Sequence, residues 1–291
     1  MTTLLVFVDG IGLGTPGAHN PFDGAARSIL RPFGGRDTAV APGWSMKRID
    51  ARLGVEGLPQ SATGTATILT GVNIAEKIGE HLWAFPDRRV KPWIEEHSIL
   101  RRAREAGRRA VYLNAFPDDR ARPDAAVPRG ACTLAALAGG GSLLTLDAVL
   151  EGRAATFDLT HEMARHFGFD LPLRTIDQAA AAVARGAREN DLALFELFLT
   201  DKAGHRQDVV WGRHEVARTE SFLEALTHHL DPREDTLVVA SDHGNLEDLS
   251  TRGHTLAEIG ALAWGHDAGA LIASWRDLTD VGRGVLERAL G

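Results

Sequence analysis

The feature that most constrains the fold is a set of short apolar runs, each of strand length, that alternate with longer helix-like segments. The runs are Leu4 to Val8, Ala110 to Leu113, Leu192 to Leu199, Thr236 to Ala240 and Ala270 to Ala273. Helical patterns lie at Ser98 to Ala106, Ile176 to Arg188, Val209 to Leu230 and Gly282 to Leu290. This alternation is typical of a parallel sheet with helices on both faces. We therefore predict an α/β fold with three layers, α/β/α, around a mostly parallel central sheet.

Two stretches break the alternation and are rich in Gly, Pro or Arg. They run from Gly10 to Gly54 and from Glu80 to Pro128, and we expect long loops and a cap there. A chain of 291 residues fits a single α/β domain with one insertion. We predict one domain over residues 1–291, with a small cap or insertion at about residues 72–190.

Charge and cysteine content exclude several classes of protein. The formal net charge is -7, so the surface would repel a nucleic-acid backbone, and we expect no nucleic-acid partner. No apolar stretch approaches the ~20 residues needed to cross a bilayer. The run Thr3 to Val8 lacks a basic leader and meets Asp9 at once, which indicates a buried strand rather than an export signal. A single cysteine, Cys132, excludes an internal disulfide, and we expect a cytoplasmic protein.

Three acidic residues follow apolar runs. Asp9 follows the first run, Asp201 follows the run that begins at Leu192, and Asp242 follows the run that begins at Thr236. Open α/β sheets bind ligands at the carboxyl ends of their strands, so these carboxylates are expected at one edge of the sheet. Taken alone, each acid has a second interpretation as a residue that caps a turn.

Three histidines accompany these acids. His205 is four residues after Asp201, His243 directly follows Asp242, and His254 lies in a Gly-flanked loop downstream. A single histidine is more often a surface residue than a ligand, but the combination requires several coincidences at one sheet edge. Carboxylates and imidazoles without sulfur suit two divalent cations such as Mn²⁺ or Zn²⁺.

A candidate nucleophile lies in the segment from residue 57 to residue 71, which reads as a loop that opens a short helix ending at Gly71. Ser61 stands at the predicted start of this helix, where backbone N–H groups and the helix dipole favour an anion. Ser61 can equally be a simple helix cap. Thr63, Thr65 and Thr67 are rival hydroxyls, and spacing alone does not choose among them.

These motifs resemble the alkaline-phosphatase superfamily, and most closely its branch of cofactor-independent phosphoglycerate mutase and phosphopentomutase. The resemblance rests on five segments in the family's order: Val8-Asp9-Gly10, the Ser61 segment, Asp201-Lys-Ala-Gly-His205, Asp242-His243-Gly244-Asn245 and His254-Thr255. It covers the predicted sheet core at both ends of the chain.

The resemblance implies a role for each matched residue. It implies that Ser61, three residues before Gly64, is the phosphorylated nucleophile, with Thr63 as the runner-up. It also implies two metal ions, with Mn²⁺ favoured and Zn²⁺ possible. One ion would be held by Asp201, His205 and His254, and the other by Asp9, Asp242, His243 and the Ser61 oxygen.

The chain departs from the mutase pattern in its middle region. Mutases of this type carry a large second domain after the nucleophile segment, whereas here position 201 lies only 140 residues after position 61. We therefore expect a phosphomonoesterase or phosphodiesterase, with a compact phosphomutase as the alternative. A non-catalytic metal-binding descendant is a third hypothesis.

Basic residues follow soon after the nucleophile segment. The candidate substrate-binding residues are Lys77, His81, Arg88, Arg89 and Lys91. We expect them to bind the rest of a small phosphorylated substrate, with a solvated basic loop as the alternative.

Overall fold

The computed structural model describes residues 1–36, 39–121 and 127–291. A six-stranded sheet organises this part of the chain, and a two-stranded sheet lies beside it. The strands are β1 (Thr3–Val8), β2 (Trp44–Ile49), β3 (Ala110–Tyr112), β4 (Ala115–Phe116), β5 (Leu144–Thr145), β6 (Leu192–Leu197), β7 (Thr236–Ala240) and β8 (Ile259–Gly265).

The order of the large sheet is β2-β8-β7-β1-β6-β3. Strand β1 lies inside the sheet and pairs in parallel with β6 on one side and β7 on the other. Strand β3 continues the parallel set next to β6, while β8 runs antiparallel to both β7 and β2. The prediction of a mostly parallel central sheet is therefore confirmed.

The described helices cover both faces of this sheet. They are α1 (Phe22–Ala25), α2 (Ser61–Thr70), α3 (Ile74–Ile78), α4 (Lys91–His97), α5 (Ile99–Glu105), α6 (Asp118–Ala121), α7 (Ala131–Leu137), α8 (Leu146–Leu150), α9 (Glu162–His166), α10 (Ile176–Arg188), α11 (Leu199–Arg206), α12 (Val209–His229), α13 (Ala268–Ile272) and α14 (Leu278–Leu290). Short 3₁₀ turns occupy Arg31–Gly34 and Ala138–Gly140.

Two apolar cores lie on opposite faces of the sheet because successive strand residues point to opposite sides. In β1, Leu5 and Phe7 join the core that includes residues of α2, α5 and α14. Leu4 and Val6 join the other core, with residues of α10 and α12. The sheet is buried on both faces, which is the three-layer arrangement that the sequence predicts.

Two segments differ from the sequence-based prediction. The expected strand Ala270 to Ala273 is wrong: Ala268–Ile272 is helix α13, and the strand of this region is Ile259–Gly265. That strand contains Gly and Ala, which have low strand propensity, and it is stabilised by pairing with β7 and β2 and by burial in the sheet. The expected loop from Gly10 to Gly54 contains β2, an edge strand whose half-exposed polar residues conceal its strand character.

The predicted cap at about residues 72–190 stays a prediction. Within that range β3 joins the main sheet, whereas β4 and β5 form the separate two-stranded sheet. A third, small apolar cluster accompanies that pair and includes Ala115, Val149 and Leu171. Residues 122–126 of the expected Arg-rich loop lie outside the described residues. In the ranges that the structure covers, no helix is long and apolar enough to cross a membrane.

Candidate metal centre

The three predicted acidic ligands lie at the carboxyl edge of three adjacent strands. Asp9 directly follows β1, and Asp242 lies two residues beyond the end of β7. Asp201 belongs to the first turn of α11, because β6 ends at Leu197 and not at Leu199 as expected. In that helix Asp201 and His205 are four residues apart and therefore share one face.

The first group of candidate ligands is Asp201, His205 and His254, whose ligand atoms all lie within 4.8 Å of one another. His205 Nε2 is 3.2 Å from Asp201 Oδ2, and His254 Nε2 is 3.6 Å from Asp201 Oδ1. The two Nε2 atoms are 3.3 Å apart. Two imidazoles and a carboxylate thus face a common point.

The second group is Asp9, Asp201 and His243, again with all ligand atoms within 4.8 Å. His243 Nε2 is 3.4 Å from Asp9 Oδ1 and 3.5 Å from Asp242 Oδ2. Ser61 Oγ lies 2.9 Å from the same nitrogen. The structure therefore brings all seven of the predicted ligand and nucleophile residues together, and their roles stay predictions.

Two of the histidines are oriented by backbone carbonyls behind the site. His205 Nδ1 lies 2.8 Å from the carbonyl oxygen of Arg252, and His254 Nδ1 lies 2.8 Å from that of Pro59. A carbonyl oxygen only accepts hydrogen bonds, so Nδ1 of both rings carries a proton, and Nε2 is the nitrogen that would bind a metal. Metal-binding histidines are typically held in this way.

The donor atoms fit divalent cations. Asp9 Oδ1 is buried and has no hydrogen-bond partner within the described ranges. Burial, followed by repulsion from Asp242 and Asp201, raises the pKa of Asp9 well above its ordinary value. An unpartnered carboxylate oxygen beside two more carboxylates is the environment that a cation would neutralise, and the oxygen and imidazole donors suit Mn²⁺ or Zn²⁺.

Burial changes the pKa values of the other candidate ligands as well. It raises the pKa of Asp242 to about 7 and lowers that of both His243 and His254 to about 4. Asp201 is the exception: burial opposes its ionisation, but the hydrogen bond from His205 and the charges nearby lower its pKa to about 2. The same hydrogen bond raises the pKa of His205. His243 and His254 are therefore unprotonated at neutral pH beside an ionised Asp201, which is the state that a metal ion would need.

Helix α2 places Ser61 in this cluster. Gln60 precedes the helix in an extended conformation, Ser61 is its first residue, and Gly71 ends it in the left-handed conformation. Ser61 thus occupies the helix N-terminus, where the N–H groups of the first turn lack partners inside the helix.

The rival hydroxyls of α2 have other partners. Thr63 donates to the backbone oxygen of Gln60, and Thr67 donates to that of Thr63. Thr65 donates to Asp242 Oδ2 over 2.8 Å, so it supports a candidate ligand. Of the four hydroxyls, that of Ser61 contacts the histidine at the centre of the second group.

Two glycines allow close contact between segments that carry candidate ligands. A Cβ at Gly64 would lie 2.9 Å from both the Cβ and the carbonyl oxygen of Asp242. A Cβ at Gly10, whose φ is +69°, would lie 2.8 Å from Asp201 Oδ1. Gly64 therefore allows the close approach of α2 to Asp242, and Gly10 allows the close approach of the loop after β1 to Asp201.

The five basic candidates lie on the segment after α2, and their hydrogen-bond, ion-pair and ring partners are not members of the ligand cluster. His81 Nε2 lies 3.3 Å from the backbone oxygen of Val55, and burial lowers the pKa of His81. Arg89 binds Glu80 and Asp87, and Lys77 lies over the ring of Trp93. Arg88 and Lys91 are exposed. Their role in substrate binding stays a prediction.

Sequence reasoning assigned no supporting role to the polar residues around the candidate ligands. Asn245 donates from Nδ2 to Asp201 Oδ1 over 2.6 Å, and Thr65 supports Asp242. Glu196 of β6 accepts a hydrogen bond from Tyr112, and burial raises its pKa. An acid inside an apolar strand is the one signal in the sequence that could have indicated Glu196.

Part of the chain matches a protein-family model. Residues 155–288 match the model described as the Metalloenzyme superfamily. The matched range contains five of the candidate ligands: Asp201, His205, Asp242, His243 and His254. The match spans 134 of the 291 residues, a little under half of the chain. Clustering of these ligands with Asp9 and Ser61 is consistent with the metal dependence that this superfamily's name implies. No curated protein sequence matches the chain.

Solved structures show that the chain has the fold of alkaline phosphatases. The alkaline phosphatase from the Antarctic bacterium TAB5 superposes with a TM-score of 0.60 at 11% identity, over 99% of this chain and 97% of that one. The cold-active alkaline phosphatase of Shewanella sp. gives 0.57 at 11% identity, over 99% of both chains. A Pyrococcus horikoshii protein gives 0.56 at 12% identity, over 99% and 97%.

Proposed function

We propose that the protein is a two-metal hydrolase of phosphoesters, a phosphomonoesterase or phosphodiesterase that acts through a phosphorylated Ser61. The observation that carries the proposal is the 2.9 Å contact between Ser61 Oγ and His243 Nε2, at a helix N-terminus and beside two groups of candidate ligands. A nucleophile, an anion-favouring helix end and clustered ligands are the parts that phosphoryl transfer requires.

The ligands divide into two sets. Asp201, His205 and His254 would hold one ion. Asp9, Asp242, His243 and the Ser61 oxygen would hold the other. Bound cations would activate a hydroxyl and neutralise charge on the phosphoryl oxygens. Mn²⁺ is the favoured metal, and Zn²⁺ is the alternative. A TAB5 alkaline phosphatase variant is described with Mg bound in its M3 site, so Mg²⁺ belongs in the same test.

Catalysis would proceed in two displacements at phosphorus. In the first, Ser61 Oγ loses its proton and bonds to phosphorus, while the ester oxygen leaves as an alkoxide and takes up a proton. In the second, water attacks the phosphoserine, releases phosphate and returns the proton to Ser61. The N-terminus of α2 stabilises the anionic group in both steps.

The substrate in this proposal is a small phosphorylated molecule, and the compartment is the cytoplasm. Hydrolysis is favoured over mutase chemistry because the stretch between positions 61 and 201 also supplies β3, β6 and several helices of the main fold. A compact phosphomutase and a non-catalytic metal-binding protein are the alternatives.

The test is turnover of simple phosphoesters by protein loaded with Mn²⁺, Zn²⁺ or Mg²⁺. Hydrolysis of an aryl phosphate or a bis-aryl phosphate, with phosphate or the monoester released and label trapped on Ser61, supports the proposal. Isomerisation of a sugar phosphate without release of phosphate would establish the mutase. Full metal occupancy with neither turnover nor labelling of Ser61 would establish the non-catalytic alternative.

A further inference from the structure

Glu247 is a buried carboxylate that the proposed chemistry does not use. It lies four residues after His243 and is 3% exposed. Its Oε2 atom accepts hydrogen bonds from the backbone N–H of Gly12 over 2.9 Å and of Asn245 over 2.8 Å. Its Oε1 atom accepts one from the hydroxyl of Thr255. Three donors therefore converge on one side chain.

The three donors come from three different segments that carry candidate ligands. One donor lies three residues after Asp9, one lies two residues after His243, and one directly follows His254. These segments belong to both metal sets, because His254 is in the first set while Asp9 and His243 are in the second. Glu247 is thus a direct connection between the two halves of the centre.

Asn245 extends this connection to the fourth segment. Its backbone N–H binds Glu247, while its side-chain Nδ2 donates to Asp201 Oδ1 over 2.6 Å and to the Asp201 carbonyl over 3.2 Å. Asp201 is the acid that both groups of candidate ligands share. Movement of Glu247 would therefore be transmitted to Asp201 through one amide side chain.

Three glycines make room for the glutamate. A Cβ at Gly244 would lie 2.3 Å from Glu247 Oε1, and one at Gly12 would lie 2.9 Å from its Cδ. A Cβ at Gly14 would lie 2.9 Å from the Cβ of Glu247. The ligand loops close around the carboxylate at distances that only glycine allows, so their separation depends on this side chain.

We propose that Glu247 is a positioning residue that sets the separation between the two metal sites by fixing the loops of Asp9, His243 and His254. The proposal rests on the two-metal centre of the proposed function. A carboxylate suits this position because it accepts hydrogen bonds at both oxygens and donates none. Residues that orient metal ligands typically change metal affinity by about 10- to 100-fold when they are replaced.

Glu220 provides a matched control. It is also a buried glutamate, and its carboxylate also accepts three hydrogen bonds, from the backbone N–H groups of Arg27, Ser28 and Leu30. Those donors belong to the connection that follows α1 and carry no candidate ligand. Replacement of Glu220 therefore tests what the loss of such a hydrogen-bonded carboxylate does to the fold alone.

The experiment compares Glu247→Ala, Glu247→Gln and Glu220→Ala by calorimetric titration with Mn²⁺ and by electron paramagnetic resonance of the loaded proteins. We expect Glu247→Ala to weaken binding of at least one Mn²⁺ by about 10- to 100-fold and to remove the magnetic coupling of a close ion pair. Glu247→Gln should recover much of both, because its amide oxygen can still accept the two N–H bonds. Glu220→Ala should lower Tm without changing affinity or coupling.

Wild-type affinity and coupling in folded Glu247→Ala would overturn the proposal, as would equal weakening by Glu220→Ala. If Glu247→Ala does not fold, Thr255→Val removes one donor and should still weaken binding; unchanged binding there would also overturn it. Wild-type protein that binds a coupled Mn²⁺ pair but turns over no phosphoester would refute the proposed function and leave the positioning role standing.

Discussion

Among the single residues of the centre, His243 differs from the other two histidines in how it is held. Backbone carbonyls fix His205 and His254 through Nδ1. His243 is instead fully buried and stacks on the ring of His254, with centroids 3.6 Å apart and planes 15° apart. Its direction is set by packing, and it presents Nε2 to Ser61, Asp9 and Asp242 together. The contact that carries the proposed chemistry is therefore built into the core.

We expect replacement of Ser61 to abolish turnover while the protein keeps its metal ions. Ser61→Ala removes one oxygen from a site that Asp9, Asp242 and His243 otherwise supply, so metal content should stay near that of the wild type. Phosphoester hydrolysis should fall by about 10³-fold or more, as is typical when a covalent nucleophile is removed. Metal analysis and steady-state kinetics on the same samples provide the measurement.

Two variants separate this effect from its alternatives. Asp242→Ala should lose metal because a charged ligand disappears. Thr63→Ala should keep turnover, since the Thr63 hydroxyl bonds to the backbone of Gln60 and not to the ligand cluster. Near-normal turnover in Ser61→Ala together with loss in Thr63→Ala would shift the nucleophile to Thr63, and activity in both would end the covalent mechanism.

Sequence patterns predict ligands better than they predict the residues that support ligands. Asp9, Asp201 and Asp242 follow apolar runs, and that position alone predicts that they lie at one edge of the sheet. Thr65 and Asn245 support these acids through contacts made only after distant segments have packed. Nothing in the local sequence distinguishes Thr65 from the other threonines of the same helix.

Among the elements, those with local signals were predicted closely. Helix Ile176–Arg188 has a capping box formed by Thr175 and Gln178, and strand Thr236–Ala240 is a continuous apolar run. Helix α11 was not predicted because it begins two residues after β6 ends, and its first residue continues the apolar pattern of that strand. Strand β8 and the edge strand β2 depend on pairing with each other, which a local pattern does not contain.

Gly64→Ala is a test of the contact between α2 and the Asp242 loop. In a free helix this change would stabilise by about 1 kcal/mol. Here the new Cβ would meet Asp242 at 2.9 Å, so we expect destabilisation of about 1–3 kcal/mol, as in overpacked cores, and a loss of turnover. Thermal unfolding and kinetics measure the two effects.

Gly130→Ala is the matched control, because a Cβ at Gly130 meets nothing within 4 Å and its φ is negative. Equal behaviour of the two variants would contradict the assignment of a structural role to the close approach at Gly64.

A further prediction concerns the basic segment after α2. If it binds the part of the substrate remote from phosphorus, Arg88→Gln with Arg89→Gln should raise KM more than it lowers kcat. Arg233→Gln is the control, since Arg233 binds Asp231 just before β7 begins, at the opposite end of that strand from Asp242. Unchanged kinetics in the double variant would assign Arg88 and Arg89 to the solvated surface.

For the molecule as a whole, the clustered carboxylates make stability depend on pH when no metal is bound. Burial raises the pKa of Asp242 to about 7 and raises that of Asp9 well above its ordinary value. A carboxyl whose pKa is raised by folding stabilises fully below its unfolded pKa near 4 and loses that contribution as pH rises through the folded pKa. Metal-free protein should therefore become less stable as pH rises from about 6.5 to 8.

Between pH 6.5 and 8, the change in stability reports on the carboxyls and not on two of the histidines. The pKa of His243 and of His254 is lowered to about 4, and a lowered histidine pKa costs stability only as pH falls below about 6.5. The raised pKa of His205 acts in the same direction as the carboxyls. Tm measured at pH 6.5 and 8 is the test, and the drop should be smaller in Asp242→Asn.

Added Mn²⁺ or Zn²⁺ should raise Tm more at pH 8 than at pH 6.5, by roughly 5 °C or more at saturation, because cations offset the repulsion and bind only the folded state. Chelation should abolish turnover, and metal should restore it. A Tm that is insensitive to metal and equal at both pH values would contradict the electrostatic account of the cluster, and full turnover by metal-free protein would refute metal dependence.

The position of β1 inside the sheet has a consequence for the order of events during synthesis. Both of its neighbours come much later in the chain: β6 begins at residue 192 and β7 at residue 236. At a translation rate of about 5–20 residues per second, β1 leaves the ribosome roughly 12–50 s before β7 does. Both edges of this apolar strand are unpaired until β6 is made, and one edge stays unpaired until β7 is made. The candidate metal centre therefore cannot assemble until most of the chain has been made, and until then an unpaired edge of the first strand is open to aggregation.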